Sequence, residues 1–302
     1  MAGVIATGSH PKALWPGVYA WFGAKYDEHP AQYTSIFDVK SSSKNFEQVV
    51  EQTGFGLAPK KDEGASTAYD SHSQGATTTF TNVAYSLGYI VTREEKADNL
   101  YTEVSMQRAG SLAFSMAQTR ENVGANVLNR FTNTAYTGGD ESALGVTDHG
   151  SLSGNQSNIL ATAADLSESS LEDLTIQIMD AVNSKGLKIA ISPKRLIIPT
   201  ALIYDAERIL KSSLRVDSAN NDLNALKSVG IIPEVAVNNY LTDSDAWFIK
   251  TNCPSGLCWF DREPVQFTKD EDFDTDNAKA KAYMRFVPGW GDWRGVYGST
   301  GA

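Results

Sequence analysis

Apolar residues recur in steps of three and four, and in sums of these, through residues 92–133. They are Leu100, Val104, Leu112, Met116, Val123, Val127 and Phe131, with Arg108, Gln118, Arg120, Glu121 and Arg130 at other positions. This spacing predicts one apolar stripe along a helix. Thr92-Arg93-Glu94-Glu95 has the form of a capping box, a hydroxyl for an orphan amide with a glutamate three residues on, and Gly138-Gly139 stops any continuation. About 40 helical residues would extend roughly 60 Å, far beyond the usual three turns. Just before this helix the period changes to two. In TTTFTNVAYSLGYIV, Thr77, Thr79, Thr81, Val83 and Tyr85 share one parity, while Thr78, Phe80 and Asn82 share the other. With GASTAYD upstream and SHSQG as the turn, the pattern predicts a β-hairpin. Neither face is strongly apolar, and a two-stranded hairpin with no face to bury is marginal alone. A long helix beside an unsupported hairpin marks an extended subunit, and another subunit is one way to support it.

Residues 140–165 are polar and rich in Gly and Ser, a loop or linker. Leu171, Leu174, Ile178 and Val182 predict a helix within 166–184 that ends before Gly186. Leu196, Ile197 and Ile198 predict a short buried strand stopped by Pro199, followed by a helix through Leu202, Ala206 and Ile209. IIPEVAVNNYL and AWFIKTN predict further strands, with turns at Asn238-Asn239 and Thr242–Asp245. That order implies an α+β domain over roughly residues 135–260. The remainder returns to β character. Ala278, Ala280, Ala282 and Met284 face one way and Lys279, Lys281, Tyr283 and Arg285 the other, a strand with one wet face.

Residues 1–45 carry Trp15, Tyr19, Trp21, Phe22, Tyr26, Tyr33 and Phe37 among Pro11, Pro16, Gly17 and Pro30, which argues against a long periodic helix there. The segment reads as an arm whose aromatics pack on another part of the protein or on a neighbour. The alternative is an ordinary N-terminal subdomain.

Composition narrows the function. With 302 residues, 41% hydrophobic and 21% charged, the chain is long enough for one large or two smaller globular domains. Its 36 acidic and 26 basic residues leave a net charge of -10, which disfavours a dedicated nucleic-acid binder, because phosphate binding rests on clustered Lys and Arg. A wall along which DNA slides without being gripped would suit this charge. The N-terminus lacks a signal-peptide pattern, and no run approaches the roughly 18 apolar residues of a membrane span. Two cysteines fit a reducing compartment better than a disulfide scaffold.

Candidate chemistry is sparse. His10, His29, His72 and His149 lie in loop-like segments without partners at metal-ligand spacing, and read as surface histidines. Cys253 and Cys258 lack the second pair that zinc needs, and read as half-buried thiols at a strand turn. Asp270, Asp272, Asp274 and Asp276 alternate as in a calcium loop, but Thr275 and Lys281 stand where its glycine and glutamate belong, so a solvated acidic turn is expected, with a weak surface cation site as the alternative. Gly54-Phe55-Gly56 lacks the third glycine of a dinucleotide fingerprint, and the sequence has neither a phosphate loop nor a nucleophile elbow. The expectation is no enzyme, and no catalytic, cofactor-binding or metal residues.

The order of these parts resembles the Hong Kong 97-type major capsid protein of tailed bacteriophages, Mu-like major head proteins included. The resemblance covers nearly the whole chain. EGASTAYDSHSQGATTTFTNVAYSLGYIVTREEKADNLY, residues 63–101, is similar to the family's extended loop running into its long spine helix, through Tyr85, Gly88, Val91, Thr92 and Glu94. PKRLIIPTALIYDAERILKS is similar to the strand and helix of the axial domain, and FVPGWGDWRGVYGS to the last peripheral-domain strand and terminus. The resemblance implies an α+β capsid fold with an N-terminal arm (1–45), an extended hairpin loop (46–91), a spine helix with peripheral domain (92–139), an axial domain (140–260) and a return to the peripheral domain (261–302).

It implies a major capsid protein that self-assembles as hexamers and pentamers into the icosahedral shell around the phage genome, in the virion capsid, after assembly in the bacterial host cytoplasm. Expected partners are other copies of the chain, a portal, a scaffolding protein, a decoration protein and packaged double-stranded DNA held without sequence specificity, with no membrane. Some members begin with a cleaved scaffolding segment; here the pattern begins near Met1, so scaffolding is expected from a separate protein. Some members join a loop lysine to a neighbour's asparagine, but nothing around Lys60 and Lys61 favours a crosslink over solvated lysines. The contact candidates between subunits are Trp15, Tyr19, Trp21 and Phe22 in the arm, Phe55, Lys60, Lys61, Tyr69 and Phe80 in the hairpin region, and Trp290, Trp293 and Arg294 near the end. The rival readings are an encapsulin-like nanocompartment shell, an α+β enzyme, and a tail or decoration protein.

Overall fold

The computed structural model describes residues 15–97, 101–215, 222–272 and 277–302. It opens with helix α1 (Trp15–Asp27) and the single turn α2 (Tyr33–Ile36). Pro16 does not oppose α1, because a proline in the first turn gives up only an amide with no intrahelical acceptor. Val18 and Phe22, one turn apart, are buried, and Phe22 stacks on Phe267 at 4.9 Å. The proline- and glycine-rich segment therefore holds a helix after all, packed on its own subunit.

Strands β1 (Asp38–Ser41), β2 (Phe46–Gln52), β3 (Gln74–Thr81) and β4 (Val83–Val91) follow. Here the structure corrects the predicted hairpin. β3 pairs antiparallel with β2, with Phe46 opposite Thr81 and Val50 opposite Thr77; GASTAYD forms no strand, and Gln74 of the expected turn already opens β3. The run TTTFTNVAYSLGYIV breaks at Asn82. Its buried amide donates to Ser42 Oγ (2.9 Å) and Lys44 O (3.0 Å), which turns the chain out of the ribbon, and β4 joins a different sheet.

Helices α3 (Arg93–Ala97) and α4 (Tyr101–Asn129) occupy the predicted long helix; Leu100 lies outside the described residues. The 29 residues of α4 extend about 44 Å. Thr92 Oγ1 accepts from Glu95 N at 3.4 Å, half of the capping box. The Glu95 carboxylate is taken instead by Arg108, at 2.7 and 3.1 Å. Ala109, Leu112, Ala113, Met116 and Leu128 form the buried stripe, interrupted by the equally buried Arg120 and Glu121. Helix α1 lies along α4, with the Trp21 indole against Gly110.

The second half contains α5 (Glu168–Met179), β5 (Pro193–Ile198), α6 (Ile203–Lys211), α7 (Ala225–Val229), β6 (Glu234–Val237), β7 (Trp247–Thr251), β8 (Leu257–Glu271), β9 (Ala278–Trp290) and β10 (Val296–Ser299). Leu171, Leu174 and Ile178 of α5, Leu196 to Ile198 of β5 and Trp247 to Ile249 of β7 make an apolar core. Two four-stranded sheets result, ordered β1-β8-β9-β4 and β10-β7-β5-β6, beside the ribbon β2-β3. Along β9, Ala278, Ala280, Ala282 and Met284 are buried and Lys279 and Lys281 exposed, as the alternation predicts.

The segment 261–302 does not return to one place. β10 pairs with β7 in the second sheet, Tyr297 opposite Ile249. Glycine makes this crossing possible: a Cβ on Gly256 would stand 2.5 Å from Gly295 Cα, and one on Gly298 2.5 Å from the Phe248 ring.

Charged side chains join the layers. Arg120 of α4 pairs with Asp261 of β8 at 2.5 Å and lies over Tyr33, Trp259 and Phe286, 5.0–5.4 Å from their centroids. Glu121 accepts the amides of Gln32 (2.9 Å) and Tyr33 (3.1 Å) at the start of α2. Lys250 of β7, almost fully buried, donates to Asp38 of β1 at 2.8 Å.

Candidate assembly surface

The ribbon β2-β3 has two unlike faces. Phe46, Gln48, Val50 and Gln52 are exposed on one; on the other Phe80 is buried and packs on Phe260 at 5.0 Å, with Val49 and Cys258 beside it. Between the strands runs a loop whose root is closed by Thr53 and Ser73. Thr53 N and Oγ1 donate to Ser73 O (3.1 and 2.9 Å), and Ser73 N donates to Thr53 Oγ1 (2.9 Å). Beyond that root Tyr69 is 95% and Leu57 84% exposed, the highest values for large apolar side chains among the described residues, and Phe55 is 60% exposed against His72. This polar loop therefore carries three large apolar side chains that its own subunit leaves in water.

The other contact candidates divide. Lys60 and Lys61 are exposed, Lys60 beside Asp62 at 3.2 Å. Tyr19 is part-exposed, edge-on to Phe267, and Trp21 lies beneath the Lys25 ammonium. The Trp15 side chain lies outside the described residues. Trp290 is half-buried and lines a cleft of about 390 Å³ with Glu51, Thr78 and Ser184. Four candidates are turned inward and cannot meet a neighbour in this conformation. Phe22 fills the space between α1 and Phe267, and Phe80 holds the ribbon to the sheet. Trp293 stacks on His149, 4.2 Å away with the two rings nearly parallel. Arg294, 3% exposed, is held by Asp292, by the Val182 carbonyl and by Glu51 at 3.6 Å.

His149 is likewise no surface histidine. It is fully buried, its Nδ1 is 2.6 Å from Asp140, and its Nε2 is 3.2 Å from Asn158 Oδ1. Asn158 donates to Leu144 O (2.6 Å) and Val296 O (3.0 Å), so this knot ties the 140–158 loop to β10. Cys253 and Cys258 are free and buried rather than half-buried, and burial pushes both thiols upward. His10, Asp274 and Asp276 lie outside the described residues; Asp272 pairs with Lys279. Among the described residues no group of three or more His, Cys, Asp or Glu side chains could hold a metal ion, and no helix is long and apolar enough to cross a membrane.

A model of the phage capsid protein family matches residues 75–299, from β3 to β10. The chain belongs to the phage capsid protein family. This capsid protein is similar in fold to a chain solved from Mycobacterium phage Che8, at 15% identity and a TM-score of 0.52 over 89% of this chain and 92% of that one. It is also similar to the capsid of Myoviridae phage XM1 (10% identity, TM-score 0.54, 90% and 92% covered). The virus-like particle of Pyrococcus furiosus shares the fold too, at 12% identity and a TM-score of 0.51 over 93% and 97%. At these identities the likeness is one of fold. No curated protein matches the capsid protein by sequence. Family and fold agree: this is a major capsid protein of Hong Kong 97-like architecture, a structural component of the phage head.

Proposed function

We propose that copies of this capsid protein assemble as hexamers and pentamers into a closed icosahedral shell around packaged double-stranded DNA. The observation that carries this reading is the β2-β3 loop, whose Phe55, Leu57 and Tyr69 are left in water by their own subunit. A protruding apolar loop that meets a different surface of the next copy gives a heterologous contact, and such contacts close into rings when the rotation allows. The part-exposed Tyr19 and Trp21 of the arm and the half-buried Trp290 supply further contact surface. The second sheet and its helices form the domain that meets around the ring axes. DNA lies against the wall without sequence readout, in keeping with the net charge of -10. Portal and scaffolding proteins join during assembly in the host cytoplasm, and a decoration protein is a further candidate partner.

The test is expression alone and with the neighbouring genes, followed by electron microscopy. Closed shells or capsomer rings are the expected product. A monodisperse monomer or dimer under every condition, co-expressed scaffold candidates included, would overturn the proposal. Shells that fill with a co-expressed cargo protein and never with DNA would mark a nanocompartment instead.

A further inference from the structure

A loop that must meet a second copy needs a direction before it arrives. One turn of the same subunit supplies it. Val182 and Lys188 bridge across this turn, Asn183 Oδ1 accepts from Lys185 N and Leu187 N at 2.9 Å each, and Gly186 takes φ +82°. Arg294 Nε donates to Val182 O at 3.1 Å, which fixes the turn to the link between β9 and β10. The turn is a rigid platform, and it presents two adjacent side chains to the loop. Ser184 Oγ donates to Glu51 at the end of β2. Lys185 Nζ reaches both oxygens of Asp70 (3.2 and 3.1 Å) and the Ser71 carbonyl (2.8 Å), shortly before β3. Across the loop, Asp70 Oδ2 accepts from Gly56 N at 2.7 Å. Both limbs of the loop thus meet at the Asp70 carboxylate, which the Lys185 ammonium ties to the turn, while Leu57 and Tyr69 stand just outside the clip.

We propose that Lys185 and Asp70 are the positioning pair for assembly, fixing the direction of the loop's apolar tip before it meets the next copy. The proposal rests on the reading that this tip contacts a neighbouring subunit. The Lys185 and Asp70 side chains are 21% and 48% exposed, and an ion pair so placed contributes little to the stability of the fold. Its effect falls on association. A loop already ordered does not pay its ordering entropy when it binds, and every subunit brings one such loop to its ring. Removing the clip should therefore leave the subunit folded and make assembly harder.

The experiment compares Lys185→Ala, Asp70→Ala and the conservative Lys185→Arg with the double tip variant Leu57→Ser/Tyr69→Ser. Three properties are read: subunit thermal unfolding, hydrogen exchange of residues 53–73, and the concentration threshold for shell formation by light scattering. The expected result for the two alanine variants is an unchanged melting temperature, faster exchange in the loop and a threshold raised roughly fivefold. Lys185→Arg should restore the threshold, and the tip variant should raise it with the loop still protected. If Lys185→Ala assembles at the wild-type threshold while the tip variant does not, the positioning role is wrong and the loop contact stands. If the tip variant also assembles normally, both fall. A melting temperature lowered by several degrees in Lys185→Ala would make the pair part of the fold and overturn the proposal.

Discussion

Replacing Arg120 by Met tests the account of how the long helix is held to the first sheet. The Arg120 side chain is 7% exposed, pairs with Asp261 at 2.5 Å and is covered by three aromatic rings. Methionine keeps the apolar stem and part of the volume, so packing loss is small. Breaking a buried pair from one side costs about 3–5 kcal/mol, because the remaining charge stays without its partner. Asp261 is 25% exposed and recovers some hydration, which moves the expectation to the lower end. Loss of the cation–ring contacts adds about 1 kcal/mol, for a total of about 3–4 kcal/mol. The companion Arg120→Met/Asp261→Asn removes the stranded carboxylate, so it should recover part of that loss, with a coupling of about 1–3 kcal/mol in the double-mutant cycle. Urea unfolding of the unassembled subunit, followed by tryptophan fluorescence, measures all four corners. A loss under about 1 kcal/mol in the single variant, or a double variant less stable than the sum of the two singles, would show that the cluster is held by its rings and not by the ion pair.

Other expectations follow from the same contacts. Burial raises the Glu121 carboxyl above its ordinary value, with the Gln32 and Tyr33 amides acting against the rise. A raised carboxylate binds more protons folded than unfolded, so its contribution is fully present below the unfolded value and is lost as pH rises through the folded one. Urea unfolding from about pH 4 to 7 should accordingly show wild type losing stability relative to Glu121→Gln as pH increases; a parallel pair of curves would refute this. Cys253 and Cys258, both buried and with thiols pushed upward, should resist iodoacetamide in the folded subunit and react together in urea, read by mass spectrometry. Gly139→Ala would place a Cβ 2.6 Å from the Thr77 carbonyl carbon and 2.8 Å from its oxygen. A backbone neighbour cannot rotate away, so about 1–3 kcal/mol of destabilisation is expected, with faster hydrogen exchange in β3.

Much of the scaffold was legible because each element announces its own period. Leu112 and Met116 of α4, the alternation of β9 and the apolar runs of β5 and β7 are buried as their spacing selects, while Val123 and Val127 of the same stripe are half-buried. β2 stayed hidden for a physical reason. FEQVVEQ puts Glu47 and Glu51 on the inward face, where a sequence reading expects apolar groups. Their partners are Ser42 Oγ for Glu47, and Ser184 and Arg294 for Glu51. Ser184 and Arg294 lie far along the chain, so no local pattern shows that these carboxylates are satisfied. The crossing of β10 was hidden for a related reason. GDWRGVYG looks like a glycine-rich terminus until its glycines are seen to be the points where one backbone lies directly on another.

The same distinction sorts the contact candidates. Phe55 and Tyr69 are single aromatics within GFGLAPKKDEGASTAYDSHS, among lysines, acids, glycines and serines, with Leu57 the one other large apolar residue and no sustained helical or strand period. Such a stretch cannot build a core of its own, and its aromatics remain exposed. Trp293 and Arg294 sit in a similarly polar stretch, yet both are buried, because the link from β9 to β10 must pass between the two sheets and its side chains fill the passage. Aromatic content alone therefore does not mark an assembly contact. What marks one is an aromatic whose own strands are already paired and whose loop has nowhere further to go. By that criterion the proposed assembly contact falls on the loop between β2 and β3, and Trp293, however conspicuous in the sequence, belongs to the packed link between its sheets.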